Sequence, residues 1–105
     1  MASYNVTVAY DTTPGASFDM DYYLSKHMPL VESLWKPAGL LSYKVVELDL
    51  SSPDALPPLQ VLCVMTWKDE ASFKAAVKTP AATTIFDDVP KFTTIPAKVY
   101  TGKIY

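Results

Sequence analysis

The chain has 105 residues, half of them hydrophobic and 19% charged, with a formal net charge of −2 at pH 7. All nine basic residues are lysines, and without arginine forks or a basic patch the composition argues against nucleic acid and against a highly anionic ligand. No run of 18 apolar residues could cross a membrane, no basic–apolar leader opens the chain, and a lone cysteine cannot form an internal disulfide. The expectation is one domain over residues 1–105, cytoplasmic, whose partner is a neutral or weakly acidic small molecule or another protein chain.

Residues 4–10 alternate: Tyr4, Val6, Val8 and Tyr10 point one way and Asn5, Thr7 and Ala9 the other, the pattern of a half-buried strand. Asp11 to Ala16 reads as a turn, with Pro14–Gly15 at its centre. Phe18 to Trp35 then carries a helical pattern around the only histidine, His27. With His27 at 0° on a helical wheel, Met20, Tyr23, Leu24, Leu30, Val31, Leu34 and Trp35 fall within roughly −60° to +80° of it. His27 therefore sits in the apolar stripe, not on the charged face. Ser17 or Asp19 is the candidate N-cap. Pro29 removes a helical hydrogen bond, so a kink or break is expected just after His27.

Lys36-Pro37-Ala38-Gly39 ends the helix. Residues 40–50 read as a second strand, Ser51 to Pro58 as a proline-rich loop, and the nearly all-apolar residues 59–67 as a strand buried on both faces. Asp69 can cap a helix from Glu70 or Ala71 to about Lys78. Thr79-Pro80 reads as a second cap, starting a segment through Phe86. Asp87 to Thr93 reads as a turn or short 3₁₀ piece, and Ala97 to Ile104 as the last strand.

The order is βαββαβ. Right-handed crossovers then give an α+β, ferredoxin-like fold: a four-stranded antiparallel sheet with two helices on one face. An apolar sheet with helices on one side only predicts a homodimer through its helix-free face.

Two readings of His27 stand at this point. One is a packed histidine whose ring nitrogens find a backbone carbonyl and a water in a filled interior. The other is a general acid/base in a closed pocket, marked by a cavity of ~300 Å³ or more. Tyr23, four residues earlier on the same face, is the best companion; its hydroxyl could orient the imidazole or hold a substrate oxygen. Tyr22 points elsewhere on this wheel. Val31 and Trp35, in the same stripe, and Tyr10, on the first strand, complete the candidate substrate-binding set. Cys63 lies in the run VLCVM and reads as a buried structural thiol. One histidine and one cysteine on different elements give no metal site. Asp87-Asp88 reads as a solvated pair of turn acids. Three glycines form no phosphate loop.

The run Phe18-Asp19-x-x-Tyr22-Tyr23-x-x-x-His27-x-Pro29-Leu30-Val31 resembles the first-helix signature of the EthD (ethyl tert-butyl ether degradation) family. The run Asp88-Val89-Pro90-x-Phe92-Thr93 resembles that family's approach to its last strand. The resemblance implies a dimeric α/β barrel with a pocket between the first helix and the sheet, and His27 in the position of the family's histidine. It also implies no cofactor: some fungal relatives act on aromatic polyketides as cofactor-free dehydratases, decarboxylases or cyclase-like proteins. The leading expectation is thus a cofactor-independent lyase or isomerase acting on an apolar aromatic or polyketide-like molecule, with His27 as general acid/base. A non-catalytic small-molecule-binding or accessory dimer is the second reading, and a cofactor-free monooxygenase the third.

Overall fold

The computed structural model describes residues 3–12, 15–49 and 59–105; the proline-rich stretch 51–58 lies outside them. The expected order is the order found. Strand β1 is Tyr4–Asp11, and helix α1 runs through three consecutive stretches, Met20–Tyr22, Tyr23–His27 and Met28–Trp35. Strands β2 (Leu40–Glu47) and β3 (Leu59–Trp67) follow, then helices α2 (Glu70–Ala76) and α3 (Pro80–Asp88), a 3₁₀ turn Val89–Lys91, and strand β4 (Ala97–Lys103). The sheet is antiparallel with order β2-β3-β1-β4. This is the ferredoxin-like α+β arrangement.

Strand alternation decides what the helices cover. Val6 pairs across the sheet with Met65, and Tyr10 with Val61. These side chains, with Cys63 and Trp67, are buried against Tyr23, Met28, Val31 and Trp35 of α1 and Ala82 and Ile85 of α3. Each large apolar side chain sealed in this way is worth about 1.5–3 kcal/mol over leaving it in water. The opposite face presents Ala9, Leu62, Val64, Val46 and Tyr100, with Val46 40% and Tyr100 55% exposed. Among the described residues no helix lies over that face, and none is long and apolar enough to cross a membrane.

Several local readings hold and several do not. The Asp19 side chain accepts the Tyr22 amide at 3.1 Å and Asp69 accepts that of Ser72 at 2.7 Å, so both act as N-caps. Thr79 stands at the N-cap of α3 with Pro80 opening the helix, but its hydroxyl makes no capping bond; it turns back to donate to the Ala76 carbonyl at 2.6 Å. Strand β2 stops at Glu47, before Leu50. Helix α3 continues past Phe86 to Asp88. Gly39 closes the turn after α1 with φ 129°, and an added Cβ there would lie 2.8 Å from Ser72 Cβ, so both backbone and space demand glycine.

The irregularity expected after His27 takes a particular form at Pro29. The helix does not break there. It widens into a π-turn over Tyr23–His27, in which the Met28 amide bonds the Tyr23 carbonyl five residues back. The chain absorbs the missing proline donor one turn earlier, and Pro29 falls in the first turn of the Met28–Trp35 stretch, where no intrahelical donor is needed. The π-turn also changes which residues face the sheet. Residues five apart now stack as residues four apart do in an α-helix, so Tyr22 comes round to the side of His27. Leu24, expected in the apolar stripe, turns out to solvent and is 51% exposed.

Candidate functional site

His27 ends the π-turn, its ring packed between two aromatic neighbours. Tyr23 stacks nearly parallel to it (17°, centroids 5.5 Å apart), and Phe92 lies 4.6 Å away and tilted. Phe92 is carried by the segment after the 3₁₀ turn, which is tied to the start of α1 by the Asp19 amide bonding the Phe92 carbonyl at 2.8 Å. The Thr93 hydroxyl donates to the Ser17 carbonyl at 2.8 Å. This clasp fixes the end of α3 against the first turn of α1.

That clasp brings in a residue the sequence reading placed in a solvated turn. Asp88 is the last residue of α3 and is only 8% exposed. Its Oδ2 lies 3.0 Å from His27 Nδ1, and its Oδ1 accepts the Tyr22 hydroxyl at 2.7 Å. Lys91 Nζ stands 3.6 Å from Oδ1. The expectation for Asp88 fails because α3 runs two residues further than expected, carrying Asp88 onto the buried stripe of Ala82 and Ile85 while Asp87 stays outside. The expectation for Tyr22 fails for the π-turn's reason. The sequence did contain a signal for Asp88: it continues the i, i+3 spacing of Ala82 and Ile85.

Electrostatics assigns the ring's protons. Burial works to raise the Asp88 carboxyl, but hydrogen bonds from His27 and Tyr22 outweigh it and hold its pKa below the usual carboxylate range. Burial lowers the His27 pKa more than the Asp88 hydrogen bond and charge raise it. An ionised carboxylate can only accept, so His27 Nδ1 carries the hydrogen and donates to Asp88. Nε2 is then a bare lone pair, and it makes no hydrogen bond among the described residues. Among the described residues the ring has one hydrogen-bond partner, the Asp88 carboxylate, in place of the backbone carbonyl that the packed reading expected.

A cavity of ≈ 90 Å³ reaches His27 between α1, α3 and the sheet. Tyr10, Tyr23, Val31 and Trp35, all named from sequence, line it with His27, and Met28, Cys63, Met65 and Val89 complete much of the wall. The volume falls well short of the ~300 Å³ of sites for drug-sized ligands. The mouth lies between Phe86 and Val99, 53% and 54% exposed, where β4 is left uncovered. Of the two roles expected for the Tyr23 hydroxyl, a hydrogen bond to the imidazole is not formed. Tyr23 offers its ring to His27, and its hydroxyl sits beside the Cys63 thiol. Burial pushes the Tyr10 and Tyr23 phenols far up and the Cys63 thiol to about 11, so all three stay protonated near neutrality. The Trp35 indole N–H is buried without a hydrogen-bond partner among the described residues. No group of three or more metal-ligating side chains occurs among the described residues.

The chain was compared with known proteins. The model of the EthD domain matches residues 15–96. An EthD-like protein from Ralstonia eutropha JMP134 superposes with a TM-score of 0.86 at 27% identity, over 97% of this chain and 91% of that one. An ethyl tert-butyl ether degradation family protein from Bacillus halodurans C-125 gives 0.74 at 20% identity, over 98% and 99%. SnoaB, a cofactor-independent oxygenase from Streptomyces nogalater, gives 0.66 at 9% identity, over 100% and 97%, a likeness of fold alone. Among curated proteins no match is found.

Proposed function

The chain belongs to the EthD domain family, and from that premise we propose that it is a cofactor-independent enzyme moving a proton on a small, apolar carbonyl or phenolic compound. The observation that carries this reading is the two-sided histidine. Nδ1 is committed to the buried Asp88 at 3.0 Å, while Nε2 is left as a free base on an apolar cavity. The carboxylate orients the ring and fixes its tautomer, as the acid of a catalytic triad does.

The step is a proton abstraction. Nε2 takes a proton from a carbon next to a carbonyl, and the C–H electron pair moves into the carbonyl, whose oxygen becomes an enolate. The Tyr10 hydroxyl, kept protonated by burial in the cavity wall, is the donor available to that oxygen, since the Tyr23 hydroxyl is engaged by the Cys63 thiol. The imidazolium returns its proton to another carbon for isomerisation, or to a departing group for dehydration. The absence of arginine and an apolar wall fit an uncharged substrate. The ≈ 90 Å³ space is smaller than the cavity of about 150 Å³ that serves for benzene, so even one ring enters only as lining side chains such as Phe86 move aside. The polyketide-like substrate of the resemblance is therefore narrowed to a single-ring head, with larger parts leaving through the mouth.

The helix-free face fits a second copy of the chain. Its centre, Ala9, Leu62, Val64, Val46 and Tyr100, is apolar, with Lys44, Lys98 and Gln60 around it. Light scattering giving a monomer mass at micromolar concentration would overturn the dimer.

Solvent exchange tests the chemistry without knowing the natural substrate. The protein is incubated in D₂O with 4-hydroxyacetophenone, and loss of the methyl protons is followed by NMR. Catalysed exchange that disappears in His27→Gln supports the reading. No exchange, together with saturable binding of the same compound, replaces it with a non-catalytic binding protein.

A further inference from the structure

Asp88 is held against two physical preferences. It is a buried carboxylate, and it stands at the C-terminal end of α3, where the helix dipole disfavours negative charge. Three donors meet it, and they divide its oxygens unequally. Oδ2 serves His27 alone, at 3.0 Å. Oδ1 takes the short Tyr22 hydrogen bond at 2.7 Å and faces the Lys91 ammonium at 3.6 Å. A carboxylate whose only partner was His27 would concentrate its charge on the imidazole and favour the imidazolium, which has no free base to offer. Donors on the other oxygen draw that charge away.

We infer that Tyr22 and Lys91 are positioning residues for the site: by holding Oδ1 of Asp88 they weaken the carboxylate's grip on the imidazole proton at Oδ2, leaving His27 neutral with its Nε2 lone pair open to the cavity. The inference rests on reading His27 as the base. The groups facing the ring are Tyr22 and Tyr23 from α1, Asp88 and Lys91 from the end of α3 and its 3₁₀ turn, and Tyr10 and Cys63 from the sheet wall of the cavity. Burial keeps Tyr10, Tyr23 and Cys63 uncharged near neutrality, so Asp88 and Lys91 are the charges that count. The Lys91 side chain is 65% exposed and screened by water, so Tyr22 is the stronger of the two. The π-turn gives Tyr22 this role, since it sets residues 22 and 27 on one side of the helix.

One histidine in the chain makes the test direct. On the full-length, ¹⁵N-labelled protein, imidazole nitrogen shifts followed against pH give both tautomer and pKa without a ligand. The native protein should show the Nδ1–H tautomer and titrate below about 6.5. Tyr22→Phe should raise the His27 pKa by about half to one unit and Lys91→Met by less, while Asp88→Asn lowers it. A Tyr22→Phe protein that keeps its amide dispersion and shows an unchanged or lower His27 pKa overturns the inference and leaves Tyr22 as packing. If Tyr22→Phe does not fold, the exposed Lys91→Met carries the test, and no rise there overturns the inference equally. Failure of the base reading looks different: no catalysed solvent exchange, with these pKa shifts intact.

Discussion

On the helix side of β3, Val61, Cys63, Met65 and Trp67 are all buried; one residue out of step, Gln60, Leu62, Val64 and Thr66 are half-exposed. The same strand thus builds two surfaces with different fates. The covered face closes over a cavity holding the one histidine and a carboxylate drawn in from 61 residues away. The bare face carries an apolar centre and no buried titratable group. The proposed chemistry and the proposed assembly therefore fall on opposite sides of one sheet, each open to substitution without direct contact with the other. The cost of the arrangement falls on the covered side, where a charge is buried and must keep its partners.

The largest expected effect breaks the covered face alone. His27→Gln keeps a polar ring-sized side chain but no base, and catalysed deuterium exchange should fall about 10²–10⁴-fold. Light scattering should show no change in mass. An exchange rate equal to the native protein's would remove His27 from the chemistry.

Breaking the other side comes next. Leu62→Lys puts a charge at the centre of the bare face beside Ala9 and Val46. Desolvating it in an interface costs several kcal/mol, so the dimer should dissociate at micromolar concentration. The His27 nitrogen shifts should stay where they were. A dimer that survives this change is not built on that face.

Asp88→Ala sharpens the comparison on the stability axis. It leaves the Tyr22 hydroxyl and His27 Nδ1–H without their acceptor in a site that is mostly closed, at a cost of about 1–3 kcal/mol. Leu41→Ala, at an apolar side chain 57% exposed, should stay within about 0.5 kcal/mol. Urea midpoints at equal slope measure both. Equal losses would mean that Asp88 is not the clamp it is taken to be.

The two sides were not equally legible from sequence. The bare face follows from alternation in β1, with Asn5, Thr7 and Ala9 against Val6, Val8 and Tyr10, whereas β3, read as buried on both faces, is half-exposed on that side. Side-chain caps at Asp19 and Asp69 followed from residue type and position. The site was legible only where it lies on one helix. His27, Tyr23, Val31 and Trp35 fell together because they share a stripe, and Tyr10 because β1 alternates. Asp88 was missed because its partner Tyr22 is 66 residues away and its neighbour Asp87 is exposed, so the pair looked like turn acids. Tyr22 was missed because Pro29 announces a lost hydrogen bond without saying how the helix accommodates it. An α-helical wheel sends Tyr22 outward and Leu24 inward, and a π-turn exchanges them.

The smallest effect separates the faces by pH. Burial holds the His27 pKa in the folded protein below its ordinary value of about 6.5. Between the two values the unfolded chain binds a proton that the native protein does not, so lowering the pH favours unfolding. The contribution is complete above about pH 6.5 and is lost as the pH falls through the folded pKa, with a slope of at most about 1.4 kcal/mol per pH unit. The Asp88 pKa is also depressed, and its own loss begins lower, near the carboxylate range of about 3.9. Urea denaturation at pH 8, 6 and 5 should therefore show stability falling in the native protein and level in His27→Gln. A bare-face variant such as Leu62→Lys should keep the native slope per subunit, because no titrating group on that face separates the two states in this window. A slope that persists in His27→Gln would place the acid sensitivity elsewhere in the chain and detach it from the covered face.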